Sequence, residues 1–140
     1  MRNSAIALCI ALIASGCKSD PAVVPVSGVV KLDGKPLAKA TVEFQPAPLP
    51  NSIEAAGPSS FGTTDDSGAY SLMLIGRDVP GAIVGEHKVI IRTTLAPAQQ
   101  RGDSVVGRER VPAKYNSASE LTFSVKAGAP MTANWDLKSQ

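Results

Sequence analysis

"VSGVVKLDGKPLAKATVEFQP", residues 26–46, decides the fold class. Its first seven residues alternate: Val26, Gly28, Val30 and Leu32 fall on one side, Ser27, Val29 and Lys31 on the other. A period of two is the pattern of a strand with one wet face. Asp33-Gly34 then marks a tight turn, because both residue types accept positive φ. Alternation resumes at once, with Ala40, Val42 and Phe44 inward and Thr41, Glu43 and Gln45 outward. The two runs are expected to form a hairpin or near-neighbour pair, with Lys31 and Glu43 as an outward cross-strand ion pair.

The same pattern extends along the chain. Residues 46–60 hold prolines 46, 48, 50 and 58 and cannot be a strand interior. Residues 61–64 lead into a second turn, Asp65-Asp66-Ser67-Gly68, after which Tyr70, Leu72 and Leu74 share a face. Residues 86–94 are the most strand-like run, with consecutive Val89, Ile90 and Ile91. Residues 95–111 are polar, rich in Gln and Arg, and without a period; so long a stretch predicts a mobile or functional loop. Leu121, Phe123 and Val125 alternate again, and Met131, Ala133, Trp135 and Leu137 form a last strand. The expectation is an all-β domain, a seven-stranded antiparallel β-sandwich over residues 26–138.

What precedes the domain bears on where it works. Met1-Arg2-Asn3-Ser4 is short and basic, residues 5–14 are apolar, and Ser15-Gly16 are small. That is the layout of a secretory signal peptide, and the apolar run is too short to remain as a spanning helix. Ala14-Ser15-Gly16-Cys17 resembles the lipobox of bacterial lipoprotein signals, with Ala14 where Leu is commonest. The resemblance implies cleavage before Cys17, a diacylglyceryl thioether on its sulfur and acylation of its new amino group. Residues 1–16 are then the signal and residues 17–25 the lipidated cysteine and its tether. Lys18 after the cysteine implies outer-membrane sorting, facing the periplasm, by the rule that holds in proteobacteria.

Cleavage removes Cys9 with the signal, leaving Cys17 as the sole cysteine, so no disulfide forms within one mature chain. Of 140 residues 124 remain, enough for one domain with a real core, with 13 basic against 12 acidic residues. Near-neutral charge argues against nucleic-acid binding, which depends on dense Lys and Arg at phosphates.

"FGTTDDSGAYSL", "GAIVGEHKVIIR" and "VPAKYN" follow the opening stretch in order. Together they resemble the carboxypeptidase regulatory-like domain, related to transthyretin-like and prealbumin-like sandwiches. They are also similar to small lipoproteins of planctomycete-type bacteria that carry this domain. The resemblance implies the sandwich and no peptidase activity, since in carboxypeptidases the domain is an accessory to a separate zinc domain. His87 is the only histidine, so a two-His zinc site cannot be assembled. The transthyretin-like hydroxyisourate hydrolases end in Tyr-Arg-Gly-Ser, whereas this chain ends Asp136-Leu137-Lys138-Ser139-Gln140.

The remaining candidates are weighed on chemistry. His87 shares the face of Val89 and Ile91 and reads as a core or edge histidine satisfied by backbone. Lys31, Glu43 and Asn134 have the residue types of a Lys–Asn isopeptide, but strand parity turns Lys31 and Glu43 outward. Asp65-Asp66-Ser67-Gly68 lacks the spaced carboxylates of a calcium loop and reads as a turn. Arg101, Arg108 and Arg110 make the long loop basic, a candidate contact for anionic lipid or glycan. The expected protein is therefore a non-enzymatic envelope lipoprotein. It has no cofactor, no metal and no catalytic residues, and is held to the membrane through lipid on Cys17, with an envelope protein or glycan as possible partner. The alternative is a small transthyretin-like hydrolase.

Overall fold

The computed structural model describes residues 21–53, 56–94 and 107–140. Thirteen strands stand among them: β1 (Val23–Val24), β2 (Val26–Leu32), β3 (Lys35–Pro36), β4 (Thr41–Pro46), β5 (Ser60–Thr63), β6 (Ala69–Ser71), β7 (Met73–Leu74), β8 (Val79–Pro80), β9 (Ala82–Ile83), β10 (Gly85–Arg92), β11 (Thr122–Val125), β12 (Met131–Thr132) and β13 (Trp135–Leu137). One 3-10 turn, Ala113–Tyr115, is the only helical element among the described residues. The chain is all-β.

Six strands form one sheet in the order β11-β10-β4-β5-β7-β8, antiparallel throughout. A second sheet of five gathers on β2, with β6 and β3 antiparallel to it and β12 and β13 parallel to it. β1 and β9 make a separate two-stranded pair. Val26, Val30 and Leu137 from the second sheet, with Ala133 from the link between β12 and β13, join Val42, Phe44, Val89 and Ile91 from the first in one core. Phe44 is fully buried, with ring centroids of Phe123 at 5.5 Å, His87 at 5.7 Å and Trp135 at 6.5 Å.

Three expectations are corrected. β2 and β4 are neither a hairpin nor neighbours, because they lie in different sheets. The Asp33-Gly34 turn does form, with φ of 51° and 79° at its two residues, the pair of positive values a type I′ hairpin needs. It returns the chain only as far as β3, however, and residues 37–40 then carry it across to the other sheet. Thr64 stitches that crossing, its hydroxyl donating to the Leu37 carbonyl (2.6 Å) and accepting from the Ala40 amide (2.8 Å).

The strands are also shorter and more numerous than the seven expected, and not all antiparallel. The run 69–75 changes sheets at Leu72: β6 pairs with β2, whereas β7 pairs with β5. The C-terminal segment arrives at β2 by crossing from the other sheet, not through a hairpin, so nothing obliges it to run antiparallel. Third, Val23 and Val24, expected within the tether, are already sheet residues, and Val24 is buried in the core.

The parallel approach of the C-terminal segment is close. A Cβ on Gly28 would stand 1.8 Å from the Ala133 carbonyl oxygen. Tyr70, paired with Gly28 in register, donates its hydroxyl to that same oxygen (2.7 Å) and accepts from Trp135 Nε1 (3.0 Å). Burial pushes the Tyr70 hydroxyl up to about 12, partly offset by the Trp135 hydrogen bond, so it stays a donor at any physiological pH.

Truncating Phe44 to Ala removes the ring that touches both sheets and should cost about 3–5 kcal/mol. Urea unfolding of the variant against the parent measures it, and a loss under 1 kcal/mol would place the centre of the core elsewhere.

Candidate functional site

The registers sort the loops into two ends. Pro46, Ser60, Leu74, Gly85 and Val125 close the six-stranded sheet at one end, and Thr41, Thr63 and Arg92 at the other. Gly85 to Arg92 spans about 24 Å at ~3.4 Å per residue. The chain enters at the first end, where the Ala22 carbonyl accepts from the Val84 amide (2.9 Å). Residues 107–111 lie at the second.

At the entry end the proline-rich segment folds over the start of β10, anchored by the Ala47 amide on the Glu86 carbonyl (2.8 Å). Two adjoining open cavities result. One of about 430 Å³ is lined by Pro48, Ile53, Ser59, Glu86, His87 and Lys88, and one of about 340 Å³ by Pro48, Leu49, Ala56, Ile83, Val84 and His87. Both are mainly apolar, and His87 is the titratable ring between them.

His87 is 2% exposed, and its Nδ1 lies 3.0 Å from the Gly85 carbonyl. A carbonyl oxygen only accepts, so Nδ1 carries the hydrogen and Nε2 is the free acceptor of the neutral ring. Burial, outweighing the Gly85 hydrogen bond and the Glu86 charge, pulls its pKa below 6.5. This is a core histidine with a backbone partner. Among the described residues no group of three or more His, Cys, Asp or Glu is placed to hold a metal ion.

At the opposite end Glu109 gathers the chain on both sides of residues 95–106. Its carboxylate accepts from the Thr93 amide (3.0 Å) and hydroxyl (2.7 Å), the Thr94 amide (3.2 Å) and hydroxyl (2.9 Å), and the Val111 amide (2.9 Å). Burial alone pushes this carboxyl up, but those hydrogen bonds outweigh it and hold it down to about 2. Val111 is buried in the core, so the loop expected over residues 95–111 ends in packed structure. Arg110 is exposed, yet its guanidinium is committed to the Ala38 carbonyl (2.7 Å). Arg108 is exposed at the same end. Cys17 and Arg101 lie outside the described residues.

The other candidates separate. Glu43 pairs with Arg92 (3.0 Å) in the six-stranded sheet, while Lys31 stands opposite Asp136 in the other, so the expected Lys31–Glu43 ion pair does not form. Asn134 accepts through Oδ1 from the Val29 amide (2.9 Å), standing in for a missing ladder partner. Asp65 uses one carboxylate oxygen on the Ser67 amide (2.8 Å), the Ser67 hydroxyl (2.6 Å) and the Ala69 amide (3.0 Å), the geometry of a turn. Comparison with family models, curated proteins and solved structures gave no match to this chain.

Sequence reasoning missed Glu109 and the cavities beside His87. The signal for the first was a single acid between two arginines, next to apolar Val111 and after a Thr-Thr pair ending the strongest strand.

Glu109 ties its protonation to stability. Its folded pKa lies below the ordinary 4.5, so the stabilisation is present above pH 4.5 and lost as pH falls toward about 2. Thermal melts of Glu109→Gln should show a lower Tm than the parent at pH 7 and a difference that narrows below pH 4. A constant difference across that window would remove the carboxylate's role.

Proposed function

We propose that this chain is a lipid-anchored, non-enzymatic module of the bacterial cell envelope. Its two larger sheets are read as a β-sandwich of the carboxypeptidase regulatory-like, transthyretin-like kind. The observation that carries the reading is the spacing of Ala14-Ser15-Gly16-Cys17 to the fold. The cysteine stands six residues ahead of Val23, the first sheet residue described. Two or three acyl chains, at ~0.8 kcal/mol per buried methylene, anchor firmly, where one is marginal.

The non-enzymatic reading draws on His87. Nucleophilic or general-base catalysis needs an activated partner within hydrogen-bond reach. Here one ring nitrogen is taken by the Gly85 carbonyl and the ring packs on Phe44. Partner binding is assigned to the opposite end, where Arg108 is exposed beside the segment 95–106. With the anchor at the Ala22 end, those basic residues face away from the bilayer. An envelope protein or anionic glycan then suits them better than lipid, and Arg110 serves mainly to hold residues 38 and 110 together.

In cells fed an alkyne fatty acid, the wild type should label and sediment with membranes, and Cys17→Ala should do neither. A labelled variant or a soluble wild type would overturn the proposal. A transthyretin-like hydrolase would work in the cavity beside His87; the purified chain should leave peptides and hydroxyisourate intact, and turnover lost in His87→Asn would establish that alternative.

A further inference from the structure

The large hydrophobic side chains left exposed among the described residues are Leu49, Ile53, Phe61, Ile75 and Val79. They gather at one end. Leu49 and Ile53 belong to the segment that leaves β4 at Pro46. The Ile75 amide donates to the Ser59 carbonyl (2.9 Å), and Val79 pairs with Leu74, which itself stands opposite Ser60. Phe61 is one residue further along the same sheet. This is the end at which the chain enters: Leu49 and Val84 line one cavity, and Val84 holds Ala22.

Several properties of that end converge. Ile53 is 99% exposed and Leu49 53%, and they neighbour the exposed Ile75 and Val79 at this end. Residues 46–60 contain one charged residue, Glu54. Apolar side chains grouped on one end of a domain are the feature from which a contact surface is read. The covalent chain limits what that can be. Ala22 is five residue steps beyond Cys17, and those steps reach at most roughly 18 Å. Lys39, Arg108 and Arg110 lie at the opposite end of the strands, about 24 Å away, while Arg77, Asp78, Glu86 and Lys88 are exposed at the entry end, at the height of headgroups rather than acyl chains.

We infer that the entry end of the domain is a bilayer-contact face, with Leu49 and Ile53 seated in the headgroup–acyl boundary and Ile75 and Val79 beside them; this rests on the proposed lipidation of Cys17. Apolar side chains at that depth exchange water for acyl chain, as the apolar face of an interfacial helix does. The anchor confines the domain near the membrane, and the loop tips set its orientation. Arg108 then points outward.

The lipidated full chain tests this. In it an acylated Cys17 is blocked and Cys9 is gone, so Ile53→Cys and Arg108→Cys each offer one thiol for an environment-sensitive dye. Both labelled proteins are reconstituted in phosphatidylethanolamine–phosphatidylglycerol vesicles with or without lipid bearing a doxyl group near the headgroup. Emission at position 53 should shift to the blue and be quenched several-fold more than at position 108. Leu49→Cys repeats the measurement should Ile53→Cys melt differently from the parent. Equal quenching at the two ends, with Cys17 shown by mass to be acylated, overturns the contact face and leaves the anchor standing. A blue shift without doxyl quenching also overturns it, since a protein then covers the loop. An unmodified Cys17 removes the anchor, and the inference with it.

Discussion

The Ala133 carbonyl oxygen occupies the space in which any side chain at position 28 would stand. Glycine there lets the C-terminal segment lie against β2 and run parallel to it, and much else depends on that contact. Tyr70 closes it by donating to the same oxygen, and Trp135 in turn donates to Tyr70. Once the segment is seated, Ala133 and Leu137 are buried and Trp135 reaches Phe44 across the core. Three backbone directions, those of β2, β6 and β13, are thus fixed by one small residue and one hydroxyl.

The core is built on that seat. Phe44, from the sheet that does not contain β2, touches Phe123 and His87 on its own sheet and Trp135 on the other. Tilted and edge-on rings add ~0.5–1.5 kcal/mol per pair beyond area burial. His87 belongs to this packing, and its burial there favours the neutral ring. The entry end combines exposed apolar tips and prolines with exposed Arg77, Asp78, Glu86 and Lys88, whereas at the other end Glu109 and Arg110 are committed to hydrogen bonds.

Period-two alternation made the wet and dry face of nearly every strand legible. Val26 and Val30, Val42 and Phe44, Leu72 and Leu74, and Val89 and Ile91 are all buried as their parity requires. Parity reports which side is dry and is silent on which strand lies alongside. The Lys31–Glu43 pair failed for that reason, as did the expected adjacency of β2 and β4 and an antiparallel direction for the last strand. Leu72 shows the same limit, since an unbroken alternating run gave no sign that it changes sheets. At the candidate sites, the turn chemistry of Asp65 and the core character of His87 were legible because their partners lie within four residues. Arg110 and the Glu109 clamp were not, because Ala38 lies 72 residues from Arg110 and Thr93 and Thr94 lie 16 and 15 residues from Glu109, whose one near partner, the Val111 amide, gives no sign of them.

Thr93 and Thr94 on one side and Val111 on the other are bound to a single carboxylate. Whatever chain lies between them therefore departs from and returns to one point of the domain surface. Doubling the length of such a closed segment costs only ~0.6 kcal/mol in closure entropy, and the strands beneath it keep their register. The Glu109 clamp makes residues 95–106 a grafting position. A foreign epitope or a binding loop inserted there would be carried between Thr94 and Val111, whose attachment to one carboxylate holds the two ends together.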